Sequence, residues 1–142
     1  MRDILVDAGA LIAFLDRTDP HHERCVETLK QIHDPLVTVW PALAEAMHLL
    51  ADTPFGVDQL CNMILEGVLQ LMALDAGDIG RIKQLMQKYR DLPMDFADAA
   101  LVCAAERERL TRIVTFDRHF AIYRLPRRAR FTVLPPVAPS IS

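Results

Sequence analysis

Short β-branched runs alternate with helical segments along the whole chain, and that alternation restricts the fold more than any other feature. DILVD, from Asp3 to Asp7, is bounded by Ala-Gly and reads as a buried strand, after which residues 9 to 16 turn helical. Asp19-Pro20 opens a helix reaching about Ile32, with Cys25, Leu29 and Ile32 on its inner face. Leu36 to Val39 (LVTV) is a second strand, and Pro41 provides the N1 residue of a helix running to about Ala51. Residues 56 to 66 are helical, Val68 to Leu74 reads as a strand, and Asp75 or Asp78 caps a helix to about Tyr89. An Ala-rich helix follows from about Asp95 to Arg109, then strands at Arg112 to Thr115 (RIVT) and Phe131 to Leu134 (FTVL).

Strands spaced by helices predict an α/β fold, with a central parallel sheet of about five short strands covered by helices on both faces. A chain of 142 residues is long enough for one such core. A single domain is expected over 1–134, with PPVAPSIS, 135–142, as a flexible tail. No internal repeat or interdomain linker is visible.

Composition removes several classes of function. At 51% apolar and 25% charged residues the chain is globular, and Asp, Glu or Arg interrupts every run that approaches a membrane span. Acids at Asp3, Asp7 and Asp16 rule out a signal peptide in the first residues, so a cytoplasmic protein is expected. Cys25, Cys61 and Cys103 are odd in number and embedded in apolar helical patterns, which suits buried thiols rather than disulfides or zinc. His21, His22 and Cys25 can be drawn as metal ligands, but a polar helix start after Asp19-Pro20 accounts for them. The net charge of −3, from 16 basic and 19 acidic residues, does not by itself suggest a nucleic-acid partner. Its distribution says more: Arg107, Arg109, Arg112, Arg118, Arg124, Arg127, Arg128 and Arg130 crowd the C-terminal part, opposed in sequence only by Glu108 and Asp117. Such an end can hold phosphates or simply be a solvated surface.

Open parallel sheets bind ligands beyond the carboxyl ends of their strands, near the point where strand order reverses. Asp7 ends the first strand and Asp117 directly follows RIVTF. One such acid is an ordinary turn former; two, on strands expected to be neighbours, nominate a crevice. Glu45, in WPALAEAMHLL, lies four residues after Pro41 with Leu49 a turn further on, which places it in the apolar stripe of its helix or tilted to the rim. Asp95 and Asp98 stand three apart at the start of the Ala-rich helix, on a face that Val102 and Ala105 continue. Asp95 as N-cap and Asp98 as first-turn acid is the plain reading.

If these acids do converge, their repulsion must be relieved. Two carboxylates about 4 Å apart repel by roughly 4 kcal/mol at an effective dielectric near 20. No Lys or Arg lies beside Asp7, Glu45 or Asp98 in sequence. A hard divalent cation resolves the conflict, and without a Cys/His set the donors favour Mg²⁺ or Mn²⁺ over zinc. Such ions ionise a water and stabilise the leaving oxygen of a phosphodiester, so the chemistry indicated is hydrolysis of that bond.

The ordered pieces VDAGALIAFLD, WPALAEAMHLL, MDFADAALVCAAE and IVTFDRHF resemble the PIN-domain ribonucleases, in particular the VapC-type toxins of bacterial type II toxin–antitoxin pairs. The resemblance spans position 4 to about 124, and D-A-x-L-x-x-x-A-E and T-x-D-x-x-F carry it best. It implies a PIN-like fold and a Mg²⁺- or Mn²⁺-dependent endoribonuclease, with Asp7, Glu45, Asp98 and Asp117 as the catalytic, metal-holding acids and Thr115 as a supporting hydroxyl. Asp95 has no fixed counterpart and is an extra ligand, a second acid behind the ligands or the helix cap. Arg118, Arg124, Arg127 and Arg128 are expected to seat the RNA backbone. A small antitoxin protein and a homodimer are implied as partners. One departure is Ala8, where the family often has Ser or Thr; the change removes a hydroxyl that could orient water or phosphate. That departure favours the competing reading, a non-catalytic RNA-binding or regulatory PIN domain. Receiver and haloacid-dehalogenase domains also place Asp at strand ends, but Asp7 is followed by Ala-Gly-Ala and no Lys follows Lys88.

Overall fold

The computed structural model describes residues 3–136. Its elements, in chain order, are β1 (Ile4–Val6), α1 (Ala8–Leu15), α2 (His22–Lys30), β2 (Leu36–Val39), α3 (Trp40–Leu49) and α4 (Gly56–Leu65). They are followed by β3 (Leu69–Met72), α5 (Ile79–Lys88), α6 (Phe96–Glu108), β4 (Arg112–Val114) and β5 (Thr132–Leu134). Short 3₁₀ turns occupy Ala76–Asp78, Arg118–Ala121 and Pro126–Arg128.

The five strands form one parallel sheet in the order β3-β2-β1-β4-β5. The chain therefore builds outward from β1 in one direction, crosses back through α5 and α6, and continues on the other side with β4. The strand order reverses at β1, and β1 and β4 are neighbours there. Their register pairs Val6 with Val114, so Asp7 and Thr115 emerge side by side at the carboxyl edge. Ile4, Leu5 and Val6 are buried on both faces of the sheet, as the run of apolar residues requires.

The Ala-rich helix is the centre of the molecule. It packs against β2, α3 and α5, and Ala97 and every residue from Ala99 to Ala105 is buried. Small side chains let neighbours approach from all sides, so α6 has no single core stripe. Asp98 continues the face of Val102 and Ala105, which are buried as expected, but the other faces of the helix are covered too, and solvent is met at its first turn and at its last, from Glu106 to Glu108. The choice between Asp75 and Asp78 as cap dissolves as well, because each caps the other. Asp75 accepts from the Gly77 N–H at 2.8 Å, and Asp78 accepts from the Asp75 N–H at 3.0 Å. Pro135 and Pro136 of the expected tail are described, and Arg24 donates to the Pro136 carbonyl at 2.8 Å; residues 137–142 lie outside the described part.

Candidate active site

Asp7 is the N-cap of α1, and its Oδ1 accepts the Ala10 N–H at 2.8 Å. Its Oδ2 accepts the hydroxyl proton of Thr115, which itself accepts the Asp117 N–H at 3.0 Å. Asp7 is only 6% exposed. Burial pushes its carboxyl up to about 6 despite the two hydrogen bonds, and the charges of Asp117 and Glu45 push the same way.

Asp117 opens the turn after β4. Its Oδ1 accepts the His119 N–H at 2.9 Å and lies 3.2 Å from His119 Nδ1. Asp95 caps α6 by accepting the Asp98 N–H at 2.8 Å, as its position predicts. The cap places Asp98 in the first turn, where burial first, then the charges of Asp95, Asp117 and Asp7, raise its carboxyl to about 7. Glu45 reaches the same place from α3, and burial and the charge of Asp95 raise its pKa too. It does so from the rim. The buried side of α3 is Ala42, Leu43 and Ala46, whereas Leu49, assigned with Glu45 to an apolar stripe, is 57% exposed.

These five acids line one cleft of about 360 Å³, together with Asp19, His21 and Phe116. Neither Lys nor Arg lines it among the described residues. Also among the described residues, no three acid, histidine or cysteine side chains stand in a ready-made cation cage. The carboxylates share a cleft while Asp7, Asp95 and Asp117 each keep an oxygen on a backbone N–H. The donor chemistry fits a hard divalent cation: oxygen ligands, excess negative charge, and three carboxyls, Asp7, Glu45 and Asp98, whose ionisation is disfavoured until a counter-charge arrives.

Asp19, His21 and Phe116 were not among the expected site residues. His21 was assigned to a polar helix start, and it does precede α2, but the turn carrying it folds back over the cleft. The aromatic directly before Asp117 in T-F-D was the available signal. His22 and Cys25, grouped with His21, serve packing instead: His22 Nδ1 lies 2.7 Å from the Ala13 carbonyl, and the Cys25 thiol donates to the Ala10 carbonyl.

The arginines separate. Arg118 is exposed on the turn beside Asp117. Arg124 turns its Nη1 onto the carbonyls of Ala121 and Ile122, at 3.1 and 2.6 Å. Arg127 lines a different cavity, with Arg109 and Leu110 at the far end of α6, roughly 16 Å along the helix from Asp98. Arg128 shares its 3₁₀ turn. The C-terminal charge is also less cationic than its sequence neighbours suggest, since Asp78 pairs with Arg107 at 2.7 Å and Asp34 with Arg112 at 2.8 Å.

A parallel α/β sheet whose reversal point gathers acids from four separate segments defines the class: a single domain built around one carboxylate cleft. The chain belongs to the PIN-domain family, whose model matches residues 4–125. Ribonuclease VapC26 of Mycobacterium tuberculosis is 35% identical over 136 residues, covering 93% of this chain and the whole of that protein. Among solved structures, the sarcin–ricin loop cleaving toxin VapC20 of M. tuberculosis superposes with a TM-score of 0.78 at 16% identity, covering 84% of this chain and 93% of that one. A toxin–antitoxin complex from Klebsiella pneumoniae gives 0.55 at 18% identity, covering 81% and 87%. At those identities the two structures speak for the fold.

Proposed function

We propose that this protein is an endoribonuclease that hydrolyses RNA phosphodiesters with a bound divalent cation, Mg²⁺ or Mn²⁺, and acts as the toxin of a toxin–antitoxin pair in the cytoplasm. The observation that carries the reading is the convergence of Asp7, Glu45, Asp98 and Asp117, with Asp95, in one cleft without a basic side chain. The relationship to Ribonuclease VapC26 over nearly the full length supports the substrate class.

Asp7, Glu45, Asp98 and Asp117 would hold the cation, with Asp95 beside them. When bound, it supplies an ionised water and stabilises the leaving oxygen. The rest is done by the chain. Thr115 holds the Asp7 carboxylate in one rotamer, and the same hydroxyl fixes the backbone at Asp117. The His119 N–H occupies one oxygen of Asp117, and the other has no hydrogen-bond partner among the described residues. Ala8 lines the cleft and brings no hydroxyl, so Thr115 provides the hydroxyl that contacts Asp7. Arg118 steers the RNA backbone toward the cleft.

The partners proposed are a small antitoxin protein and a second copy of the chain. Large apolar side chains left in solvent support partners of this kind, with Leu65 82% and Phe55 76% exposed. No helix among the described residues is long and apolar enough to cross a membrane. The test is cleavage of single-stranded RNA by wild type and Asp98→Asn, in Mn²⁺ and in EDTA. Cleavage by wild type in Mn²⁺ alone is expected. RNA binding in EDTA without turnover in Mn²⁺ would instead establish the non-catalytic RNA-binding domain.

A further inference from the structure

The acid cleft has an aromatic wall. The His21 and Phe116 rings stack with centroids 4.5 Å apart and planes within 8°, and both line the cleft that holds Asp7 and Asp98. Phe116 lies between Thr115 and Asp117, so the wall is one residue from an acid on one side and from the hydroxyl bonded to Asp7 on the other. Phe116 is half-buried beneath and His21 is exposed, which leaves a flat ring facing solvent at the mouth of the cleft.

This ring is held in place. The His21 N–H donates to Asp19 Oδ1 at 2.8 Å, and the His22 N–H to the Asp19 carbonyl at 3.0 Å. Thr18 donates twice to Asp16 Oδ1, at 2.9 and 2.7 Å, and His22 Nδ1 ties the turn to the Ala13 carbonyl.

We propose that the His21–Phe116 stack is a base platform, a subsite that seats the unpaired nucleobase next to the scissile phosphate of a single-stranded RNA. The inference rests on the ribonuclease reading above and extends it to how substrate is held. The cation held by the acids would act on the phosphate, and no Lys or Arg lines the cleft among the described residues, so the contact the cleft offers a neighbouring base is the uncharged aromatic ring. Stacking on that ring tolerates different bases because each has a π-face. Purines, with the larger overlap, are preferred at this position.

The test uses the intact protein in Mn²⁺ with short single-stranded RNAs carrying 2-aminopurine, in turn, at positions flanking whichever bond wild type cuts. Expected is rapid fluorescence quenching at one flanking position, preceding cleavage. His21→Ala should abolish that quenching and raise KM about ten-fold, with kcat and melting temperature little changed. His21→Tyr should restore both, and an abasic residue at that position should raise the wild-type KM similarly. Quenching that survives in His21→Ala, or an abasic substrate bound as well as the normal one, overturns the platform. Wild type that cuts RNA without quenching removes the platform alone, whereas wild type that neither binds nor cuts RNA removes the ribonuclease reading and the platform with it.

Discussion

The Thr115 hydroxyl donates to the buried carboxylate of Asp7 while accepting the N–H of Asp117 at 3.0 Å, so one side chain links the acid after β1 to the acid after β4. Register makes this possible: Val6 and Val114 are paired, and the two residues that follow them face each other at the carboxyl edge. Thr115→Val keeps the shape and removes the donor. A destabilisation of about 1–3 kcal/mol is expected in urea unfolding at pH 8, from a buried carboxylate that has lost a partner. At pH 5, where Asp7 is largely protonated in the folded protein, the loss should be smaller.

Metal-free protein should lose stability as the pH rises. Asp7 has its pKa raised to about 6 and Asp98 to about 7, both above the unfolded value of 3.8. Groups raised in this way contribute stability that is complete below about pH 4 and is lost as the pH passes through 6 to 7. For Asp7 the cost at pH 8 is on the order of 3 kcal/mol. Melting temperatures in EDTA should therefore fall between pH 5 and pH 8, and Asp98→Asn should flatten the decline. A metal-free profile that rises over this range contradicts the assignment.

Asp95 combines a cap with a like charge, and two substitutions separate them. Asp95→Ala removes the α6 cap, which costs about 1 kcal/mol, but also relieves the repulsion felt by Asp98 and Glu45. Asp95→Asn keeps a capping oxygen and relieves the same repulsion, so its metal-free form should be more stable than wild type at pH 8 by thermal melting. If Asp95 is only a cap, Asp95→Asn retains full cleavage; if it is a ligand, cleavage falls while stability rises.

The arginines should divide by placement. Arg118→Ala is expected to weaken RNA binding and to lower its salt dependence by about one phosphate contact. Arg124→Ala should instead reduce stability, because its guanidinium is engaged with the carbonyls of its own turn. Anisotropy titrations at several salt concentrations, alongside melting curves, distinguish the two.

The strands, the helices and the positions of Asp7, Asp98 and Asp117 were legible because each rests on local signals: β-branched runs, Pro41 at a helix start, and Asp at strand ends and in a first helical turn. Glu45 was reached by an incomplete argument. A stripe through Leu49 was expected, yet burial of α3 follows Ala42, Leu43 and Ala46, because neighbouring helices decide which face is covered. His21 was passed over because its stacking partner is 95 positions away and no local pattern links them. The arginines looked like one cluster because sequence proximity hides both the ends of α6 and the acids, Asp34 and Asp78, that arrive from elsewhere.

The central claim, that crowded carboxylates await a divalent ion, is met most directly by calorimetric titration of metal-free protein with Mn²⁺ at pH 7. Wild type should bind saturably and release protons, since Asp98 is partly protonated at that pH, and Asp98→Asn should bind at least ten-fold more weakly. Equal affinity in the two proteins, or no binding by wild type, would contradict the account.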